Sequence, residues 1–213
     1  SNTQQLIDFF RYGEKIDYRL LVGVESENIA YYQKDLSPIP YDNGIATLLN
    51  ELQDSGWYPE SDGEDLVALR RDGSSLTLEP GGQLELVGTP WFSVHQVARE
   101  MNENTTELLE LCGSKSINLS QIGIRPNISA DKMPWMPRVR HQIMRDYLND
   151  HGKNALEVML LSAAHQINYD FVNEQDMVEK LKTAMSVAPT VAAICANSPF
   201  IDGQWSGFRS SRY

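Results

Sequence analysis

Glu25 and Glu27 stand two residues apart in the apolar run Leu21-Val22-Gly23-Val24-Glu25-Ser26-Glu27. On a strand, that spacing puts both carboxylates on one face. Residues 76–88 read as a strand, a Gly81-Gly82 bend and a second strand, with Glu79 and Glu85 at the two ends of the bend. A carboxylate on a half-buried apolar strand is costly unless a counter-charge meets it, and a cation is the simplest one. Four carboxylates on sheet faces therefore predict a hard-cation site of the Mg²⁺ type, with Glu25, Glu27, Glu79 and Glu85 as the ligands. The plainer alternative is that one or two of them are surface charges on strand edges.

Arg138, Arg140 and Arg145 follow Pro137, which suits a first helical turn. Seven residues apart, Arg138 and Arg145 share a helix face, whereas Arg140 sits on another side of the first turn. An anion near this helix N-terminus would gain from both an arginine and the free N–H groups; ordinary surface ion pairing in an acidic chain is the alternative. Gln166, Asn168 and Asp170 alternate on one strand face. Amides there would bind a substrate amino acid, orient a metal ligand, or simply be satisfied polar groups. His95, His141, His151 and His165 show no zinc spacing. Gly81-Gly82 is a bend and not a phosphate loop, and Asn197-Ser198-Pro199 reads as a structural cap on a turn.

These groups need elements to hold them. Apolar periodicity predicts helices over 3–15 (with Thr3 as cap and Leu6, Ile7, Phe9 and Phe10 as apolar face), 43–55, 93–112, 137–150 and 174–195. A weak spot is expected at 102–106, and a kink or break at Pro189. Val94, Val97, Met101, Leu108, Leu109 and Leu111 are expected to face inward. Strands are predicted over 17–32, 66–71, 75–79, 83–87 and 117–125, with Asp72-Gly73 as a hairpin turn. Residues 159–171 read as helix giving way to strand from Ala163, and 197–213 as loop. Hairpins followed by helices predict an α+β fold on an antiparallel sheet.

The chain has 213 residues, 41% of them hydrophobic and 22% charged, enough for one substantial core or two small domains. Lys+Arg number 18 and Asp+Glu 29, a net charge of −11 that argues against nucleic acid as a partner. ATP is not excluded, because Mg²⁺ and a few arginines neutralise it locally. No stretch approaches the roughly 20 apolar residues of a membrane span, and no secretory signal pattern opens the chain. Cys112 and Cys195 form neither a disulfide framework nor a zinc spacing. Two reduced cysteines predict a cytosolic protein.

The segment Leu78-Glu79-Pro80-Gly81-Gly82-Gln83-Leu84-Glu85-Leu86-Val87-Gly88 resembles the LEPGGQFELSG signature of plant and proteobacterial glutamate–cysteine ligases. Residues 136–147 (MPRVRHQIMRDY) resemble that family's MPKGRYxIMRNY, residues 166–171 (QINYDF) its QVNLDF, residues 196–200 its ANSPF, and the stretch from Gly207 to Arg212 its GFxSxR. The motifs fall in the family's order. The resemblance implies a cupped antiparallel sheet with helices on its outer side, the glutamine-synthetase/guanido-kinase-like catalytic fold in part. It implies one catalytic-type domain over 1–213, incomplete at its C-terminal end, because family members are about twice as long. It also implies a cytoplasmic ligase of glutathione biosynthesis that uses Mg²⁺ and ATP to join glutamate to cysteine through an acyl phosphate. Glu25, Glu27, Glu79 and Glu85 would be metal ligands. Arg140 and Arg212 would act in catalysis and grip the glutamate carboxylates, with Arg145, Gln166 and Asn168 also binding substrate. Val139 and His141 stand where relatives have Gly and Tyr, which leaves open another amine acceptor; a non-catalytic glutamate-binding subunit is a further alternative. Exposed sheet edges would favour association with a missing C-terminal portion or with a second copy.

Overall fold

The structure is a computed structural model that describes residues 2–15, 19–151 and 154–210. Helix α1 (Thr3–Tyr12) is capped by Asn2 rather than Thr3: the Asn2 side chain accepts from Gln5 N–H at 2.9 Å while the Gln5 side chain accepts from Asn2 N–H at 2.9 Å. This reciprocal pair satisfies two orphan donors of the first turn. The apolar face of α1 is nonetheless exposed along its length. Strand β1 (Val22–Tyr32) is shorter than expected; positions 17 and 18 of the predicted strand lie outside the described residues.

A turn of π-helix (Tyr41–Ile45) leads into helix α2 (Ala46–Leu52) and a 3₁₀ turn (Gln53–Ser55) ended by Gly56 at φ 86°. Four strands follow as a meander: β2 (Tyr58–Asp62), β3 (Asp65–Arg71), β4 (Ser74–Leu78) and β5 (Leu84–Val87). Asp72 and Gly73, at φ 48° and 95°, make the predicted tight turn. Strand β2 is an addition to the sequence reading. Its Pro59 and charged residues disguise it, and an edge strand tolerates both.

Helix α3 (Val94–Ser114), capped by Ser93, runs unbroken through the expected weak spot. Buried Asn104 holds it there, donating to Ser74 Oγ and accepting from Arg71 Nη2 at 2.9 Å. Val94 and Leu109, expected inside, are exposed. Strand β6 (Ile117–Ser120) stops well before Pro126. Helix α4 (Val139–His151) starts two residues after Pro137. Helix α5 (Ala155–Leu161) and strand β7 (His165–Tyr169) give the predicted helix-to-strand change. Helix α6 (Glu174–Cys195) is continuous through Pro189. The predicted terminal loop contains a small hairpin, β8 (Phe200–Ile201) and β9 (Gln204–Trp205), turning on Asp202 and Gly203 with positive φ.

The fold is α+β. Seven strands form a mostly antiparallel sheet in the order β2-β3-β4-β5-β1-β6, with β7 also paired to β1, and the sheet does not close into a barrel. Alternation along the strands separates its faces. Leu69, Leu76, Leu78, Leu84 and Leu86 point to one side and meet Ile45, Leu48, Leu49 and Leu52 around α2 and Leu108 and Cys112 of α3. Each fully buried leucine contributes about 1.5–3 kcal/mol of transfer free energy. This apolar layer anchors the opposite, polar face.

Candidate active site

Strand register assembles the acidic residues. Glu27 lies directly opposite Glu85 on β5, and Glu85 directly opposite Thr77 on β4. Glu25 is flanked by Val87 on one side and Gln166 on the other, and Gly23 faces Asn168. Directly paired residues, and residues two apart, share a face. One sheet face therefore carries Glu25, Glu27, Glu85, Thr77, Gln166 and Asn168, with Glu79 two residues beyond Thr77. Like charges facing each other across a ladder repel, so the Glu27–Glu85 pair is a standing demand for positive charge.

Each carboxylate has a polar contact. Glu25 accepts from Asn168 Nδ2 at 2.7 Å, Glu27 from the backbone N–H of Ala164 at 3.1 Å, and Glu85 from Thr77 Oγ1 at 2.6 Å. Glu79 pairs with Arg140 Nη2 at 2.8 Å. These contacts do not offset burial. Burial pushes the Glu27 carboxyl up to about 7, against the Ala164 hydrogen bond and with the help of Glu79, Glu85 and Glu25. Burial also raises Glu79, opposed by Arg140, and raises Glu85, opposed by Thr77 and reinforced by Glu25. Donor type fits a hard divalent cation, since the four side chains offer only carboxylate oxygens. The carboxylates are not drawn into a closed cage, since among the described residues no three acidic, histidine or cysteine side chains converge enough to hold an ion.

The Gly-Gly bend sets where Glu79 and Arg140 meet. Gln83 is buried; its Oε1 accepts from Gly81 N–H at 2.9 Å and its Nε2 donates to Ser162 O at 2.6 Å. A Cβ on Gly81 would overlap the Leu160 carbonyl oxygen, so only glycine lets the bend seat against α5. Gly82 takes φ 83°. Met136 N–H donates to Pro80 O at 3.0 Å, fixing the approach to α4. Val139 N–H donates to Asp62 Oδ2 at 2.9 Å. The helix N-terminus expected to receive an anionic ligand thus already holds the Asp62 carboxylate.

Among the residues singled out from sequence, Glu25, Glu27, Glu79, Glu85, Arg140, Gln166 and Asn168 come together. Arg145 is engaged elsewhere, its guanidinium 5.1 Å from the centre of the Trp135 ring. Arg212 lies outside the described residues. His141, the departure from the family's tyrosine, is 1% exposed, with Nδ1 3.3 Å from Met136 O, and burial holds it down to about 4. Ser198 is buried and its N–H donates to Arg209 O at 2.7 Å, a tie to the tail. Thr77 and the Ala164 N–H were missed. Thr77 was detectable from its spacing, two before Glu79; a backbone donor leaves no trace in side-chain types.

Comparison with known proteins bears on this face. The sequence profile of Glutamate-cysteine ligase family 2 matches residues 21–213. A chloroplastic glutamate–cysteine ligase of Medicago truncatula is 33% identical over 210 residues, covering 98% of this chain and 41% of the relative. The Arabidopsis thaliana chloroplastic enzyme is 33% identical, with coverage of 98% and 40%. A ligase B of Oryza sativa subsp. japonica, also chloroplastic, is 34% identical over 192 residues, with coverage of 90% and 38%. The chain thus spans about two fifths of the length of these relatives. They correct the cytosolic expectation: these named relatives are chloroplastic, which points to a plastid instead, and two reduced cysteines do not separate those compartments. No described helix is long and apolar enough to cross a membrane. With the family's profile matching from the strand that bears Glu25 and Glu27 to the last residue, this chain belongs to glutamate-cysteine ligase family 2.

Proposed function

We propose that this chain carries the metal- and glutamate-binding part of an enzyme that uses ATP and Mg²⁺ to join the γ-carboxylate of glutamate to the amine of cysteine. A carboxylate is a poor electrophile toward an amine. Transfer of the γ-phosphoryl group of ATP to the glutamate side chain gives an acyl phosphate; the cysteine amine attacks the acyl carbon, the C–O bond to phosphate breaks, and the nitrogen loses a proton. When bound, Mg²⁺ would neutralise charge on the phosphates. Glu25, Glu27, Glu79 and Glu85 share one sheet face and would draw closer to hold it, while Arg140, with Arg212, would grip the carboxylates of glutamate. Asn168 holds Glu25 through their hydrogen bond, and Gln166, directly opposite Glu25 on β7, would join Asn168 in binding the substrate. Positioning and charge carry this chemistry, and no protein nucleophile is required.

The observation that carries the reading is the facing pair Glu27 and Glu85, flanked on the same face by Glu25 and Glu79. The test is ADP release from Mg²⁺–ATP in the presence of glutamate, with cysteine added or withheld. Release that needs both amino acids supports the ligase. Release with other amines in place of cysteine reassigns the acceptor, and Mg²⁺-dependent glutamate binding without release leaves a non-catalytic binding part. Of the two substitutions that favour another acceptor, His141 is buried and Val139 exposed, so support for that alternative rests mainly on Val139.

A further inference from the structure

Arg125 is 4% exposed in a chain of net charge −11, yet among the described residues no carboxylate pairs with it. Its Nη1 donates to Ala30 O at 3.2 Å and its Nη2 to the carbonyl of Leu36, while its Nε–H is buried with no partner. A guanidinium has five N–H donors, so these two carbonyls leave most of them unused. The Tyr31 ring centre lies 5.9 Å from its guanidinium carbon. A buried cation without a counter-charge is expensive, and neutral carbonyls compensate it only in part. The backbone also spends strain to hold it. Leu36 sits at φ 59°, a left-handed conformation rare for a branched apolar residue, and presents its carbonyl to Arg125.

Arg125 lines a cavity of about 160 Å³, together with Ile29, Tyr31, Leu36, Ser120, Ile122, Pro126 and Asn127. We propose that this cavity is an anion-binding site in which Arg125 receives a small monocarboxylate bearing a short apolar body. A carboxylate accepts from the planar fork of an arginine. The apolar walls from Ile29, Leu36, Ile122 and Pro126 suit a hydrocarbon body. A phosphate dianion would bring two negative charges to a lining whose one charged residue is Arg125. Glu27, Ile29 and Tyr31 alternate on one face of β1, so the cavity begins roughly 7 Å along the strand from Glu27. It is separate from the carboxylate group and stands independently of the ligase reading.

The probe is butyrate, titrated calorimetrically into the chain at constant ionic strength, with inorganic phosphate and sodium chloride as parallel arms. Saturable butyrate binding, at least about tenfold tighter than phosphate, is expected. Ile122→Trp fills the cavity without touching either carbonyl that holds Arg125, and should weaken butyrate by at least about tenfold while leaving the thermal midpoint near that of the parent. Arg125→Lys keeps the charge but loses the fork, and should weaken it too. No saturable heat with butyrate, or equal binding in Ile122→Trp, overturns the site. Equal affinity for phosphate overturns the carboxylate assignment.

Discussion

Glu27 and Glu85 face each other across a strand pair that gains nothing from their proximity. Replacing Glu85 with Gln keeps an acceptor for Thr77 and removes the repulsion. Metal-free stability should therefore rise, by up to about 1 kcal/mol, while Mg²⁺-dependent nucleotide binding weakens. Glu79→Gln should weaken that binding too, with little loss of fold. Denaturation in chelator beside nucleotide titration checks both; unchanged nucleotide binding in both variants removes these residues from the metal site. Arg140→Ala should weaken glutamate more than ATP, and an equal loss of both counts against its role. Glu27 supplies a pH signature. Its folded-state value near 7 lies above the ordinary 4.5, so the native state takes up a proton between them. Stability is greatest at the acid side of that window and falls as pH rises through it. Measured in chelator, the stability advantage of Glu27→Gln over the parent should be small near pH 4.5 and level off above pH 7; an advantage that does not change with pH would show that Glu27 is not buried against its neighbours.

At the level of elements, the bend between β4 and β5 joins the acidic face to α4 and α5 through Gly81, Gln83 and Met136. Gly81→Ala should cost about 1–3 kcal/mol, because the added methyl meets the Leu160 carbonyl and not a movable side chain. The same variant should displace Glu79 from Arg140, so its loss of Mg²⁺–nucleotide affinity should exceed that of Glu79→Gln, as a paired titration would reveal. Periodicity made β1, β3, β4, β5 and the cores of the long helices legible, since alternation and 3/4 spacing follow directly from which face is buried. It failed at β2, where an edge strand keeps no apolar face, and at the ends of β6 and α4, where Arg125 N–H and Val139 N–H leave the local pattern for Leu161 O and the Asp62 carboxylate. The glutamates were legible by spacing, but which of them faces which is a matter of register, and register is a long-range property. Arg145 shows the converse: a residue chosen by motif whose neighbour, Trp135, lies in the preceding loop.

Across the whole molecule, charge is the dominant asymmetry. Net −11 is spread over a chain whose polar sheet face concentrates mutually repelling carboxylates, three of them with raised proton affinity. Helix α6 buries none of its residues among those described, and Leu181, Met185, Val191 and Ile194 lie exposed on it, so this helix adds little packing to offset the repulsion. Any added salt screens dispersed surface charge with a reach of about 10 Å at 0.1 M. A divalent ion that binds the folded face does more, stabilising by RT ln(1 + [L]/Kd), about 1.4 kcal/mol when it is in tenfold excess over its Kd. Magnesium chloride should therefore raise the thermal midpoint further than sodium chloride at matched ionic strength. The excess should shrink in Glu79→Gln and in Glu85→Gln, and should persist in Arg145→Ala, whose side chain is engaged with Trp135. If the two salts stabilise the parent equally, the carboxylates act as diffuse charge and hold no ion. If Mg²⁺ is superior but the glutamine variants keep its full effect, the ion sits elsewhere on the acidic surface.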